Sequence, residues 1–185
     1  LAKKGWSDVV LVERKELTSG STWHAAGLLP LFNMSYATSH IHDYSVKFYK
    51  KLEKELNTDI GFKVVGNLRM AQTQDRMDEF MLYSSTADTV NIPYEWKNPK
   101  QIKDRWPLVY SEDLKGAIYH PTDGYINPAD LTQAIARSAR SNDVKIERKT
   151  QADSFYWDGN SWHVQCSKMF EKGGNLLVSQ EKVTY

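Results

Sequence analysis

Hydrophobic positions fall in short blocks between polar turns, and their period changes along the chain. Val9-Val10-Leu11-Val12 is a continuous apolar run closed by Glu13, the pattern of a buried parallel strand. Ile41, Tyr44, Phe48, Tyr49, Leu52 and Leu56 then recur at helical spacing, while Asp43, Lys47, Lys50, Lys51 and Lys54 take the opposite face. This is an amphipathic helix whose aromatic stripe reads as core packing. Phe62-Lys63-Val64-Val65 and Leu68-Arg69-Met70-Ala71 flank Gly66-Asn67 and predict two short strand segments joined by a tight turn or a bulge. A second helix is predicted from about Gln74 to Thr89, with Met77, Phe80, Met81, Ser84 and Ala87 on its inner face.

Local punctuation sets the remaining elements. Leu1-Ala2-Lys3-Lys4-Gly5 resembles the last turn of a helix, with lysines at the negative end of its dipole and Gly5 as a left-handed cap. Leu28-Leu29-Pro30-Leu31-Phe32 is apolar but broken by proline, which predicts a packed irregular segment in place of a regular strand. Asn98-Pro99-Lys100-Gln101 carries an N-cap, a proline at the first helical position and a glutamine three residues after the cap; Pro107 ends that helix near Trp106. Ala117-Ile118-Tyr119 reads as a strand ending at His120-Pro121, and Asp123-Gly124 as a turn without a catalytic role. Asn127-Pro128-Ala129-Asp130 opens a further helix with Leu131, Ile135 and Ala139 inward, leading to a strand at Val144-Lys145-Ile146-Glu147-Arg148. Asp158-Gly159 joins Phe155-Tyr156-Trp157 to Trp162-His163-Val164-Gln165-Cys166 as a hairpin, and Gly173-Gly174 turns toward a last strand near Leu176-Leu177-Val178.

Composition narrows the partners. The 24 basic and 23 acidic side chains leave no net field for nucleic acid, and no apolar run approaches the length of a membrane-spanning helix. A small neutral or zwitterionic partner suits this balance better. Cys166 is the one cysteine, so an intramolecular disulfide is excluded. His40, His42, His120 and His163 lack the spacing of a metal site; His40 and His42, two apart, face different sides of a helix. At 185 residues the chain accommodates one domain or two small ones.

The candidate chemistry centres on Gly20-Ser21-Thr22-Trp23-His24-Ala25-Ala26-Gly27, a loop of small residues around one indole and one imidazole. Little Cβ bulk allows its backbone to approach a flat ligand closely. Glu13 sits where the second strand of a dinucleotide-binding βαβ unit carries the acid for the adenosine ribose hydroxyls. The glycine-rich phosphate turn would then lie about 20 residues earlier, before Leu1, so the chain is expected to be a fragment.

Val10-Leu11-Val12-Glu13-Arg14, Glu16-Leu17-Thr18 and the stretch Gly20 to Leu28 resemble the flavin domain of the dimethylglycine and sarcosine dehydrogenase family. The resemblance continues through Lys47-Phe48-Tyr49, Val65-Gly66-Asn67-Leu68-Arg69, Arg105-Trp106-Pro107-Leu108 and Asp123-Gly124-Tyr125-Ile126-Asn127-Pro128, nearly the whole chain. It implies FAD joined covalently to His24 through the 8α-methyl group of the ring. Backbone contacts are implied from Arg14, Gly20, Ser21, Thr22, Trp23, Ala25, Ala26, Gly27 and Leu28, with Glu13 on the ribose and the backbone of Ala152 at the adenine. Thr150-Gln151-Ala152-Asp153 departs from the more apolar sequence common at that last position.

The implied fold is mixed α/β: a partial Rossmann-like FAD-binding domain interleaved with an antiparallel-sheet substrate domain. The expected portions are 1–40 for the cofactor, 41–125 for the substrate excursion and 126–185 for the return to the cofactor domain. The implied reaction passes a hydride from the N-methyl carbon of a small N-methylated amino acid to the flavin. The resulting iminium is hydrolysed to formaldehyde or captured by tetrahydrofolate, and an electron-transfer acceptor or oxygen reoxidises the enzyme. Tetrahydrofolate belongs to a C-terminal region with no counterpart here, and substrate-orienting residues are expected beyond Tyr185, so no catalytic acid or base is named. The implied location is the cytoplasm of a bacterium or the mitochondrial matrix of a eukaryote. Another secondary or tertiary amine as substrate, and a catalytically silent structural module, are the alternatives.

Overall fold

The computed structural model describes residues 1–31, 35–173 and 175–184. Phe32, at the end of the apolar segment, and Gly174, in the last turn, lie outside the described residues. In chain order the elements are β1 (Val10–Val12), β2 (Leu28–Leu29), α1 (Tyr36–Leu56), β3 (Lys63–Val64), β4 (Asn67–Ala71), α2 (Gln74–Thr89), β5 (Glu95–Lys97) and α3 (Pro99–Arg105). They continue with β6 (Gly116–His120), β7 (Gly124–Tyr125), α4 (Pro128–Arg140), β8 (Lys145–Glu147), β9 (Thr150–Trp157), β10 (Trp162–Lys172) and β11 (Asn175–Thr184). This mixed α/β chain divides into two compact units, one from residues 1–25 and 128–185, the other from 26–127.

In the first unit β1 and β8 pair in parallel, Val10 opposite Lys145, Leu11 opposite Ile146 and Val12 opposite Glu147. A parallel pair needs a crossover between its strands, and α4 supplies the helix that leads into β8. The expected burial of β1 is corrected: Val10 and Val12 are half-buried and Leu11 is exposed. The sheet holds two strands, too few to cover both faces. On α4, Ala134 and Ser138 are buried whereas the expected inward Ile135 is exposed, so small residues let the helix pack closely. β9, β10 and β11 form an antiparallel meander with Trp157 opposite Trp162. Its first turn is held by Asp158, whose Oδ1 accepts the N–H groups of Asn160 and Ser161 at 2.8 Å each, beside Gly159 at φ +99°.

The second unit is built on an antiparallel sheet in the order β4-β6-β5, with every residue of β6 buried. Ala71, Phe80 and Ile118 form one core cluster with Met77, Tyr83 and Tyr94 packed on it. Ile102, Leu114 and Ala117 form another with Leu68, Trp106 and Val109. α2 has the expected limits, but Met81 is exposed and Tyr83 takes its place on the inner face. Positions 80, 83 and 87 continue one helical line, and the Tyr83 hydroxyl donates to Glu79 Oε1 at 2.6 Å, so the inward ring keeps its polar tip paired. The capping box at Asn98 and Gln101 forms as expected, with both reciprocal bonds at 2.9 Å.

Three expectations are corrected in this unit. α1 turns Ser39, Val46 and Leu52 inward and leaves Ile41 and Tyr44 exposed, at 64% and 71%. Two polar residues, Ser39 and half-buried His42, occupy its inner face, and hydropathy spacing is blind to them. The segments around Gly66-Asn67 do not pair with each other, because β3 pairs with β7 and β4 with β6. Gly66 is a corner at φ +80°, where a Cβ would meet the Tyr119 hydroxyl at 2.2 Å. Leu28-Leu29 is a strand after all, opposite Tyr125 and Gly124 of β7. The second small sheet therefore runs β2-β7-β3.

Candidate cofactor site

Glu13 follows β1 directly, and its peptide groups are tied to the second half of its own unit. Its N–H donates to the Glu147 carbonyl at 2.8 Å and its carbonyl accepts the Thr150 N–H at 2.9 Å. The carboxylate Oε1 accepts the Lys15 N–H at 2.7 Å. Oε2 has no hydrogen-bond partner among the described residues. Because Thr150 starts β9, the same contact brings Ala152 close to Glu13, although 139 positions separate them in sequence. Arg14 is exposed.

The loop is one 3₁₀ turn over Ser21–His24, with Trp23 N–H on the Gly20 carbonyl at 3.1 Å and Ala25 N–H on Thr22 at 3.2 Å. Thr18, at φ +76°, bends the chain into it. Helix α4 runs alongside. Apart from Thr22 every side chain from Ser19 to Ala26 is exposed, Trp23 at 77%, and a Cβ at Gly20 would meet nothing within 4 Å. The division between the two units falls between Ala25 and Ala26, inside the loop. Beyond it, Gly27 takes φ +73°, its carbonyl accepts the Ile126 N–H at 2.8 Å, and Leu28 enters β2 at 71% exposure.

Sequence reasoning passed over a buried polar cluster in the second unit. It read Asp123 as part of an ordinary turn; the structure buries this side chain almost completely. Its Oδ1 accepts the Leu31 N–H at 2.9 Å, its Oδ2 accepts Asn67 Nδ2 at 3.2 Å, and its carbonyl accepts the N–H groups of Val65 and Gly66. Burial pushes the Asp123 carboxyl above its ordinary range, against those two side-chain bonds, which favour the charged form. His120, fully buried, is held down to about 4 by burial and by the nearby Arg69 charge, and a hydrogen bond to the Pro93 backbone opposes the shift. It is therefore neutral at pH 7. The available signal was an Asp-Gly pair that follows the largely apolar strand β6 after two intervening residues. Gly124 is required there, since a Cβ would lie 2.0 Å from the Lys63 carbonyl oxygen.

A family model described as DAO, FAD dependent oxidoreductase, matches residues 1–175. The chain belongs to this family. Its relatives include the mitochondrial dimethylglycine dehydrogenase of Rattus norvegicus, 40% identical over 148 residues, which are 80% of this chain and 17% of that protein. The mitochondrial pyruvate dehydrogenase phosphatase regulatory subunit of Mus musculus is 37% identical over 150 residues, 81% of this chain and 17% of that protein. The chain thus spans about a sixth of the length of these curated relatives. The crystal structure of L-proline dehydrogenase from P. horikoshii shares the fold, with a TM-score of 0.81 at 22% identity, covering 96% of this chain and 45% of that one.

For a member of the FAD oxidoreductase family, the residues present are compatible with the cofactor at two places. The open space at Gly20 and the exposed indole of Trp23 leave room for a flat ring. The second oxygen of Glu13 is available to a hydroxyl. Among the described residues no group of three or more His, Cys, Asp or Glu side chains is arranged to hold a metal ion. No helix among them is long and apolar enough to cross a membrane.

Proposed function

We propose that this chain is the flavin-holding part of an FAD-dependent oxidoreductase that demethylates a small N-methylated glycine of the dimethylglycine or sarcosine type. The observation that carries this reading is the 40% identity to a dimethylglycine dehydrogenase over 148 residues, 80% of this chain. Bound flavin would supply the two-electron acceptor for the N-methyl carbon. Glu13 would accept hydrogen bonds from the ribose hydroxyls through Oε2, and the backbones of Arg14 and Ala152 would flank the adenosine. The small residues Gly20, Ser21, Thr22, Ala25, Ala26 and Gly27, with Trp23 and Leu28, would line the ring by backbone amides and apolar contact.

His24 would attach the ring. His24 would offer an imidazole nitrogen to the 8α carbon and give up its own proton, and the methyl proton and electron pair lost in forming that bond would go to the solvent and to the oxidant of turnover, oxygen or an electron-transfer protein. The imidazole must be neutral to act as nucleophile, and the exposed ring of His24 is accessible to a flavin. The full-length protein, denatured in acid, should keep yellow flavin on the peptide containing His24, and His24→Ala should release it. Covalent flavin persisting in His24→Ala would sink the assignment.

A second reading has its own support in the 37% identity to a phosphatase regulatory subunit: the flavin fold serving a regulatory partner with no turnover of amines. Incubating the flavin-loaded protein with dimethylglycine and with sarcosine separates the two. Bleaching of the flavin band favours the dehydrogenase, and an unchanged band favours the regulatory role.

A further inference from the structure

The peptide unit between Pro30 and Leu31 is gripped at both ends. His42 Nδ1 lies 2.7 Å from the Pro30 carbonyl oxygen, and the Leu31 N–H donates to Asp123 Oδ1 at 2.9 Å. A carbonyl only accepts, so Nδ1 of His42 carries the hydrogen, which sets the tautomer. The two grips come from separate elements, His42 from the inner face of α1 and Asp123 from the turn before β7. Asp123 is in turn held by Asn67 at the start of β4 and by the N–H groups of Val65 and Gly66. Two segments of the second unit therefore meet on one peptide plane, and a third braces Asp123 behind it. Proline limits the remaining freedom, since its ring fixes φ on the side facing β2.

We propose that His42 and Asp123 are positioning residues for the C-terminal end of the flavin loop, gripping the Pro30–Leu31 peptide so that β2 and Gly27 are held in a single conformation. This rests on the loop being the flavin site, as argued above. Between the gripped peptide and Gly27 lie only Leu28 and Leu29, both paired with β7, and the Gly27 carbonyl is fixed by Ile126 from the same strand region. These pairings tie the gripped peptide to Gly27 through two residues held on β7. A misplacement there is transmitted to the C-terminal end of the loop, where small displacements at a reacting centre are costly. Neither side chain needs to touch the cofactor for this role.

The test uses the full-length protein with His42→Ala, His42→Asn and Asp123→Asn. Backbone amide exchange across residues 27–31 reads the grip, and the rate and absorbance maximum of covalent flavin formation read its consequence. In His42→Ala, exchange at Leu31 should speed up about tenfold, as expected for losing one hydrogen bond of the pair. Flavin attachment should slow about tenfold or more, with a shifted flavin band. His42→Asn places an amide N–H near the position of Nδ1 and should restore both; Asp123→Asn keeps an acceptor for Leu31 and should fall between. Faster exchange with flavin attached at the unaltered rate would overturn the positioning role while leaving the flavin reading intact. A parent protein that binds no flavin at all would overturn the flavin reading and this inference with it, and the exchange data would still register whether the grip exists.

Discussion

The loop Gly20–Gly27 and the segment Gly116–Ile126 have similar ingredients, glycines, aromatics and a histidine, and opposite fates. In the loop nearly every side chain is exposed, and a Cβ at Gly20 meets open space. In the segment only Tyr125 is exposed, His120 and Asp123 are buried, and a Cβ at Gly124 collides with the Lys63 carbonyl. Within the segment the Asp123 carboxylate is satisfied by the chain itself, through the Leu31 N–H and the Asn67 amide, as a buried carboxylate requires. Those of the loop face outward, in the state expected of a surface that meets something else. Glycine in one place closes a packed corner; in the other it clears space for a visitor.

Substitutions can break that contrast. The largest effect is expected from Gly124→Ala, which drives a methyl group to 2.0 Å from a backbone oxygen and should cost about 3 kcal/mol or more in urea unfolding. If Gly124→Ala unfolds like the parent, the corner is looser than described.

Next comes the pH dependence of the buried histidine. His120 titrates at about 4 in the folded protein against about 6.5 unfolded, so its contribution is fully present above pH 6.5 and is lost as the pH falls through 4. The loss should reach about 3 kcal/mol and disappear in His120→Asn, measured by denaturation at pH 7 and pH 4. Asp123 works with the opposite sign. Its raised carboxyl makes the folded state the better proton binder around its titration, so its own contribution diminishes as the pH rises through the folded value. A slope unchanged in His120→Asn would remove the histidine from the account.

Smaller again, Asn67→Ala deletes the 3.2 Å bond to Asp123 Oδ2 and should cost about 1.5 kcal/mol, read as a shifted urea midpoint at constant slope. At the far end, Gly20→Ala and Trp23→Ala should each stay within about 0.5 kcal/mol of the parent in stability, because their side chains have few neighbours to lose or meet. Both should nevertheless lower the flavin content of the full-length protein. A loop substitution that destabilises as strongly as Gly124→Ala would erase the distinction between the two regions.

Much of the architecture was legible before any coordinates. The limits of α2, the capping box at Asn98, the left-handed cap at Gly5 and the hairpin at Asp158-Gly159 all appear where the residue pattern put them. The inner faces were less legible. Ile41, Tyr44 and Met81 were expected inside and lie outside, while Ser39, His42 and Tyr83 take the inner positions, each able to pair its polar atom or small enough to fit. The candidate cofactor residues were chosen from one loop, one strand end and the Ala152 position of β9. The gripping pair His42 and Asp123 was not, because neither stands out from its neighbours in sequence.

The division follows the range of the interactions. Caps, turns and helix limits rest on hydrogen bonds between residues two to four apart, so the sequence alone determined them: Asn98 needs only Gln101, and Asp158 only Asn160 and Ser161. Tertiary structure alone decided that β3 and β4 part into different sheets, that α1 turns a serine and a histidine inward, and that Asp123 becomes a buried anchor. Those outcomes depend on partners such as Leu31, 92 positions from Asp123, and Asn67, 56 positions away. A buried carboxylate is tolerable only when such donors arrive together, and no local pattern announces that they will.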